Sequence, residues 1–212
     1  MVGIPTLHDV SAPFFTSVIG LNYDPNNEYS YNVKTGTLVY TARNMIALDA
    51  MNNGFDYLVF LDSDMVLPRD TLTRLAADIE VNECDLVTGL CFTRNMPVEP
   101  TILSRLEWHQ DNAGAHDDSE VYWDYPGGGI FEVAGTGMAC CIMRVDVIAE
   151  TVMAYKQAPF DPLPRVSEDY AFCWRLRQIG KKLLCDPGIQ PGHCGMYIYD
   201  EKDYARRREH GI

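Results

Sequence analysis

Residues 55–65 read Phe-Asp-Tyr-Leu-Val-Phe-Leu-Asp-Ser-Asp-Met, and this stretch constrains the fold more than any other. Its centre, residues 57–61, is a short unbroken apolar run of aromatic, β-branched and leucine side chains. Such a run predicts a strand buried on both faces, as at the centre of a parallel sheet. Asp62 and Asp64 follow at the strand's carboxyl end, the edge of an open α/β sheet where ligands bind. Two carboxylates one residue apart repel each other unless a positive charge sits between them, and a hard divalent cation, Mn2+ or Mg2+, supplies one. Asp also bonds its own backbone in turns, so the same pair fits a plain turn. The stretch by itself leaves both readings open.

The 212 residues suffice for one domain, or two small ones, with a substantial core. Thirty acidic against 17 basic residues give a net charge of −13. That balance argues against an extended phosphate backbone as the main partner, because nucleic-acid affinity rests largely on Lys and Arg. It also makes a metal useful, since an anionic ligand entering an acidic cleft needs a local counter-charge. The seven cysteines (84, 91, 140, 141, 173, 185 and 194) are odd in number and lack C-x-x-C spacing. They read as small buried hydrophobes in a reducing compartment rather than as disulfides or zinc ligands. No apolar run approaches the ~18 residues of a membrane span, and Met1-Val2-Gly3-Ile4 enters a strand without a signal peptide. A cytoplasmic location is the expectation.

Along the chain, a first strand over 2–6 precedes a helix begun by Ser11 and Pro13 and stopped at Gly20. A second strand is expected near 29–33. Residues 41–53 carry Met45, Ile46, Leu48 and Met51 at helical spacing, with Thr41 as N-cap and Gly54 as stop. Pro68-Arg69-Asp70 starts a helix with the stripe Leu72, Leu75, Ala76 and Ile79, and 86–92 is another buried strand. Strand and helix alternating at these intervals imply right-handed crossovers and a parallel sheet.

The middle third changes character. Residues 93–129 hold three prolines, an acidic centre and little regular periodicity, the pattern of a functional or mobile loop. Strands are expected over 130–133 and 138–144, separated by Gly135-Thr136-Gly137, then a helix over 146–155. Ser167 caps a helix from Glu168 to about residue 179, with Phe172, Leu176 and Ile179 on one face. A last strand over 182–185 leads to Gly192-His193-Cys194-Gly195, where flanking glycines suggest a close backbone approach to something.

Glu168 and Asp169 fall in a helix's first turn, where the helix dipole favours the anionic form. Acids are routine there, but a carboxylate held in place is also what a general base requires. The chain resembles a GT-A-fold glycosyltransferase, close to the family 2 type. The resemblance is carried by Ile4-Pro5-Thr6, Ala42-Arg43-Asn44, Asp62-Ser63-Asp64 as a DxD motif, Gly135-Thr136-Gly137, Ser167-Glu168-Asp169 as an xED motif, Asp186-Pro187 and His193-Cys194-Gly195. These pieces occur in family order across nearly the whole chain.

The resemblance implies an α/β GT-A (Rossmann-like) fold, with a mixed, mainly parallel central sheet flanked by helices. It implies a single domain, 1–92 forming the nucleotide-binding half and 93–212 the acceptor and catalytic half. The activity implied is metal-dependent transfer of a sugar from a nucleotide-diphosphate sugar, UDP-sugar favoured and GDP-sugar second, to an acceptor hydroxyl. Asp62, Asp64 and His193 are implied metal ligands for Mn2+ or Mg2+. Pro5, Thr6, Arg43, Asp62, Ser63, Gly135, Thr136 and Gly137 are implied donor-site residues, Arg43 matching the diphosphate's charge. Asp169 is the implied base, giving inversion, and Glu168 orients groups nearby. No counterpart of the second-strand acid that reads the nucleobase stands near Tyr31-Asn32-Val33. Glycan, protein, small-molecule and modified-nucleobase acceptors all fit, and Trp108, Tyr122, Trp123 and Tyr125 serve either as stacking platforms or as core anchors.

Three other readings are weaker. A haloacid-dehalogenase-like phosphatase also places Asp-x-Asp after an apolar strand, but near its chain start. A non-catalytic nucleotide-sugar binding module would not need both the DxD and the Glu168-Asp169 pair. A Rossmann dehydrogenase needs a third glycine and a helix after Gly137, where an apolar strand is expected.

Overall fold

A computed structural model of the chain describes residues 1–195 and 198–210. The elements in order are β1 (Val2–Pro5), α1 (Ala12–Ile19), β2 (Tyr31–Lys34), α2 (Val39–Asn52), β3 (Tyr57–Leu61), β4 (Met65–Val66), α3 (Thr71–Val81) and β5 (Leu86–Gly89). They continue with β6 (Ile102–Asp111), β7 (Gly114–Val121), β8 (Phe131–Glu132), β9 (Gly135–Thr136), β10 (Cys140–Arg144), α4 (Val145–Tyr155) and α5 (Glu168–Gln178). Last come β11 (Leu183–Asp186), β12 (Gly192–Cys194), β13 (Ile198–Tyr199) and α6 (Glu201–His210).

The run at 57–61 is the centre of the molecule. Strand β3 lies inside a seven-stranded sheet of order β2-β1-β3-β10-β5-β11-β8. Strands β2, β1 and β3 are mutually parallel, as are β5 and β11, while β10 runs antiparallel between β3 and β5. Leu58 and Phe60 enter one apolar layer with Ile46 of α2, Ile148 of α4 and Phe172 of α5. Val59 and Leu61 enter the opposite layer with Phe14 of α1 and Leu75 and Ile79 of α3. Successive strand side chains point to opposite faces, so a strand covered on both sides must be apolar at every position. That is why the run shows no alternation.

Helix α2 departs from its expected form. It begins at Val39 behind Leu38, without a side-chain cap, so Thr41 lies inside the helix and is not its N-cap. Its buried face is Ala42, Arg43, Ile46, Ala47 and Ala50, whereas Met45 and Leu48 are about half exposed. Small residues decide the contact because the helix lies close on the sheet: a Cβ at Gly3 of β1 would collide with Ile46.

The middle third is not an irregular loop. Strands β6 and β7 form a long antiparallel hairpin turning at residues 111–114, and β9, expected to be a spacer, pairs with the root of β6. Leu103 and Leu106 anchor that root, and beyond them the hairpin projects with both faces mostly exposed. With no buried face there is no apolar alternation to read. The aromatic residues serve as anchors. Tyr122 and Tyr125 pack against Phe131, Trp123 and Tyr125 stack on Tyr204, and Trp108 meets Trp174 edge-on. The Trp108 indole also donates to the Pro164 carbonyl at 3.1 Å.

Cys84, Cys91, Cys140, Cys141, Cys173, Cys185 and Cys194 are all free and buried. Burial pushes the thiols of Cys91, Cys140, Cys141, Cys173 and Cys185 up, which suits inert core residues. In the basic run at 206–208, Arg206 pairs with Asp203 and Arg208 with Asp124; the side chain of Arg207 lies outside the described residues. Among the described residues, no helix is long and apolar enough to cross a membrane.

Candidate active site

The carboxyl end of β3 runs straight into a tight turn, closed by the Met65 amide on the Asp62 carbonyl at 3.1 Å. The turn reading of the two aspartates is therefore also realised, through the backbone. It leaves both side chains free to face other partners. Asp62, Ser63 and Asp64 line a cleft of about 590 Å³ together with Pro5, Thr6, Asp9, Thr37, Leu38 and Arg94. The cleft's wall is tied together by main-chain bonds, Ser11 N to Ser63 O at 3.2 Å and Gly36 N to Leu7 O at 3.0 Å.

Asp64 meets His193 through a pairing that only the fold creates. Strand β12 lies antiparallel on β4, with His193 opposite Met65, and Cys194 N donates to Asp64 O at 2.7 Å. His193 is thus in a strand, not the glycine-flanked loop its neighbours suggest. Its Nδ1 lies 2.8 Å from the Phe92 carbonyl, an acceptor, so Nδ1 carries a proton and Nε2 is turned to Asp64 Oδ2 at 3.2 Å. Arg94 Nη1 donates to the same Oδ2 at 2.8 Å. Burial raises the Asp64 carboxyl, but the His193 bond and the charges of His193 and Arg94 outweigh it and hold it below its usual range. For His193, burial lowers the imidazole, while the bonds to Asp64 and Phe92 overcome it and leave it raised.

Asp62 takes a different partner. Arg43 Nη2 sits 3.0 Å from its Oδ1 and 3.1 Å from its Oδ2, and Arg43 Nε lies 3.5 Å from Glu168 Oε1. Arg43 is buried under the cleft and is not among the residues lining it, so its charge serves two carboxylates of the protein. Burial pushes Asp62 up against the pull of Arg43, and burial with the neighbouring Asp169 does the same to Glu168. Asp62 therefore does not converge with Asp64 and His193. Among the described residues, no group of three or more His, Cys, Asp or Glu forms a metal-ligand cluster. Asp64 and His193 do fit a hard cation in donor chemistry, because such ions commonly take one or two protein ligands and complete their shell with water and phosphate oxygens.

Glu168 and Asp169 open α5 as expected, with Ser167 at the N-cap. The Ser167 hydroxyl does not cap the helix; it donates to Asp169 Oδ1, which also accepts the Tyr170 amide at 2.8 Å. Gly137 lies beside Asp169, a Cβ there falling 3.7 Å from Oδ2. All three residues of this motif are buried, and the other two face elsewhere: Thr136 bonds Thr88 and Cys173, and Gly135 faces Leu103 and Leu106. Asn44 accepts the Phe160 amide and donates to Asp161, fastening the segment before α5 to α2. Asp186 ends β11 in an ion pair with Arg74 at 2.6 Å. Sequence reasoning missed Arg94; the signal was its place two residues beyond the apolar run at 86–92, at the same sheet edge as Asp64.

A sheet of this order, with its acids at the strands' carboxyl edge, is the architecture of the GT-A class, and solved structures agree. The crystal structure of A197 from STIV superposes with a TM-score of 0.60 at 17% identity, over 92% of this chain and 84% of that one. GalNAc-T7, solved with UDP, GalNAc and Mn2+, superposes with a TM-score of 0.58 at 12% identity. That match covers 91% of this chain, which spans only 43% of GalNAc-T7. Residues 24–147 match the glycosyl transferase family 2 domain, and the chain belongs to that family. It is a glycosyltransferase, which sets aside the phosphatase and the non-catalytic module. A search of curated protein sequences gives no match.

Proposed function

We propose that the enzyme takes its sugar from a nucleotide diphosphate, a UDP-sugar first and a GDP-sugar second, with Mn2+ or Mg2+ held by Asp64 and His193. The approach of His193 Nε2 to within 3.2 Å of Asp64 Oδ2, where Asp64 lines the cleft, is the observation that carries the reading. Pro5, Thr6 and Ser63 would line the nucleotide's path, and Asp62 would face the donor from the cleft floor. A cation bound at Asp64 supplies charge neutralisation for the leaving diphosphate. Asp169 would remove the proton of the acceptor hydroxyl from the side opposite the leaving group, giving inversion at the anomeric carbon. Ser167 bonds its Oδ1, and Gly137 lies beside its Oδ2. Glu168, held through Arg43, links this base to the DxD turn. On this reading residues 1–92 form the nucleotide half of a single domain and 93–212 the acceptor half.

The test is turnover of UDP-sugars and GDP-sugars with Mn2+. Asp64→Ala should abolish metal-dependent transfer, and an unchanged rate sinks the metal assignment. Asp169→Asn should lower kcat by about 10²- to 10⁴-fold while donor binding stays near wild type. Equal loss of both would make Asp169 a structural residue.

A further inference from the structure

Among the described residues lining the cleft, Arg94 is the one lysine or arginine, and the reaction scheme above leaves it unused. Its segment is closed at the root by Thr93 N to Glu99 O at 2.8 Å, Glu99 N to Thr93 Oγ1 at 3.0 Å, and a bridge between Phe92 and Pro100. Phe92 is also the residue whose carbonyl orients His193. One loop root therefore sets both side chains that meet Asp64 Oδ2. The Arg94 side chain is 55% exposed, and its bond goes to the same Oδ2 that His193 faces.

A half-exposed arginine gains little from one carboxylate, so this pair exchanges easily. A dication at Asp64 Oδ2 would replace attraction by repulsion and drive the guanidinium away. A diphosphate in the same cleft offers it paired anionic oxygens that match its planar fork. The geometry points to Arg94 as an exchangeable counter-ion: it masks Asp64 in the empty cleft and moves to the donor's diphosphate when nucleotide and cation enter together. This inference rests on the nucleotide-diphosphate reading of the cleft. Its consequence is mutual dependence, since displacing Arg94 costs each ligand binding alone and is shared when both bind.

The experiment is Mn2+ binding followed by electron paramagnetic resonance, with and without UDP or GDP, in wild type, Arg94→Met and Arg94→Lys. Because Arg94 is exposed, thermal unfolding of the variants should match wild type. Mn2+ alone should bind Arg94→Met more tightly, the nucleotide more weakly, and their mutual enhancement should fall by about tenfold, within the usual range of coupling. Arg94→Lys should keep most of the masking. The inference is overturned if Arg94→Met binds Mn2+ no tighter than wild type, if its coupling is unchanged, or if Arg94→Lys behaves like Arg94→Met. A wild-type protein that binds neither Mn2+ nor either nucleotide would overturn the cleft reading itself.

Discussion

Arg43 Nη2 lies 3.0 Å from Asp62 Oδ1 beneath the cleft, with only 2% of the arginine exposed. The guanidinium also reaches Glu168, so a single helix residue from α2 joins the end of β3 to the start of α5. Its Cζ also lies over the Phe60 ring, 5.2 Å from the centroid, a cation–π contact. Nearby carboxylates keep Arg43 charged despite its burial, Asp62 contributing most. The two acidic motifs are thereby held at one spacing by one side chain.

Removing Arg43 should be costly. Arg43→Met leaves two part-buried carboxylates without their counter-charge, a loss of about 2–4 kcal/mol in unfolding free energy, below that of a fully buried pair. Urea denaturation would measure it, and a cost under about 1 kcal/mol would show that solvent compensates the acids.

Ser167→Ala separates capping from positioning. The hydroxyl bonds Asp169 rather than the helix amides, so stability should change by less than the ~1 kcal/mol of an ordinary cap. The rate constant kcat should fall about tenfold, the size of one charge-assisted hydrogen bond. A lower Tm with unchanged kcat would give Ser167 a purely structural role.

Gly3→Ala tests the close seat of α2. The added methyl meets Ile46 and comes within 3.3 Å of the Phe60 ring, so it must push α2 off the sheet. The expected cost is about 1–3 kcal/mol, typical of overpacking. Chemical denaturation reads it directly.

Asp78 carries a pH dependence of opposite sign to that of an ordinary paired acid. Burial, together with hydrogen bonding to Asp186 and its charge, pushes its carboxyl up from 3.8 to about 6. The folded state then binds this proton more tightly than the unfolded chain. The contribution is fully present below pH 3.8 and is lost as pH rises through about 6. Asp78→Asn, which stays neutral, should gain on wild type between pH 4 and pH 7, by about 1 kcal/mol after solvent screening of this part-exposed group. Unfolding midpoints at the two pH values decide it; a parallel shift at both refutes the assignment.

Local periodicity was readable wherever an element keeps a buried face. The run at 57–61, the stripe Leu72-Leu75-Ile79 and the helix from Glu168 all appear where their patterns place them. It misled on α2, where counting large apolar residues favours Met45 and Leu48 over the alanines that touch the sheet. It failed on the hairpin over 102–121, whose outer half buries nothing. The family resemblance named Asp64 and His193 together as metal ligands, but the geometry of their meeting was not legible. It depends on the register of β12 on β4, which joins residues more than a hundred positions apart.

The sequence by itself determined the β3 strand, the two acidic motifs that follow strand and cap, and through their order the family of the chain. Those are properties of neighbouring residues, set by side-chain period and composition. Only the tertiary structure decided which charge answers which: Arg43 to Asp62 and Glu168, His193 and Arg94 to Asp64. Charge pairing acts through space over a few ångströms, and β-register and helix packing alone bring these distant residues within that range.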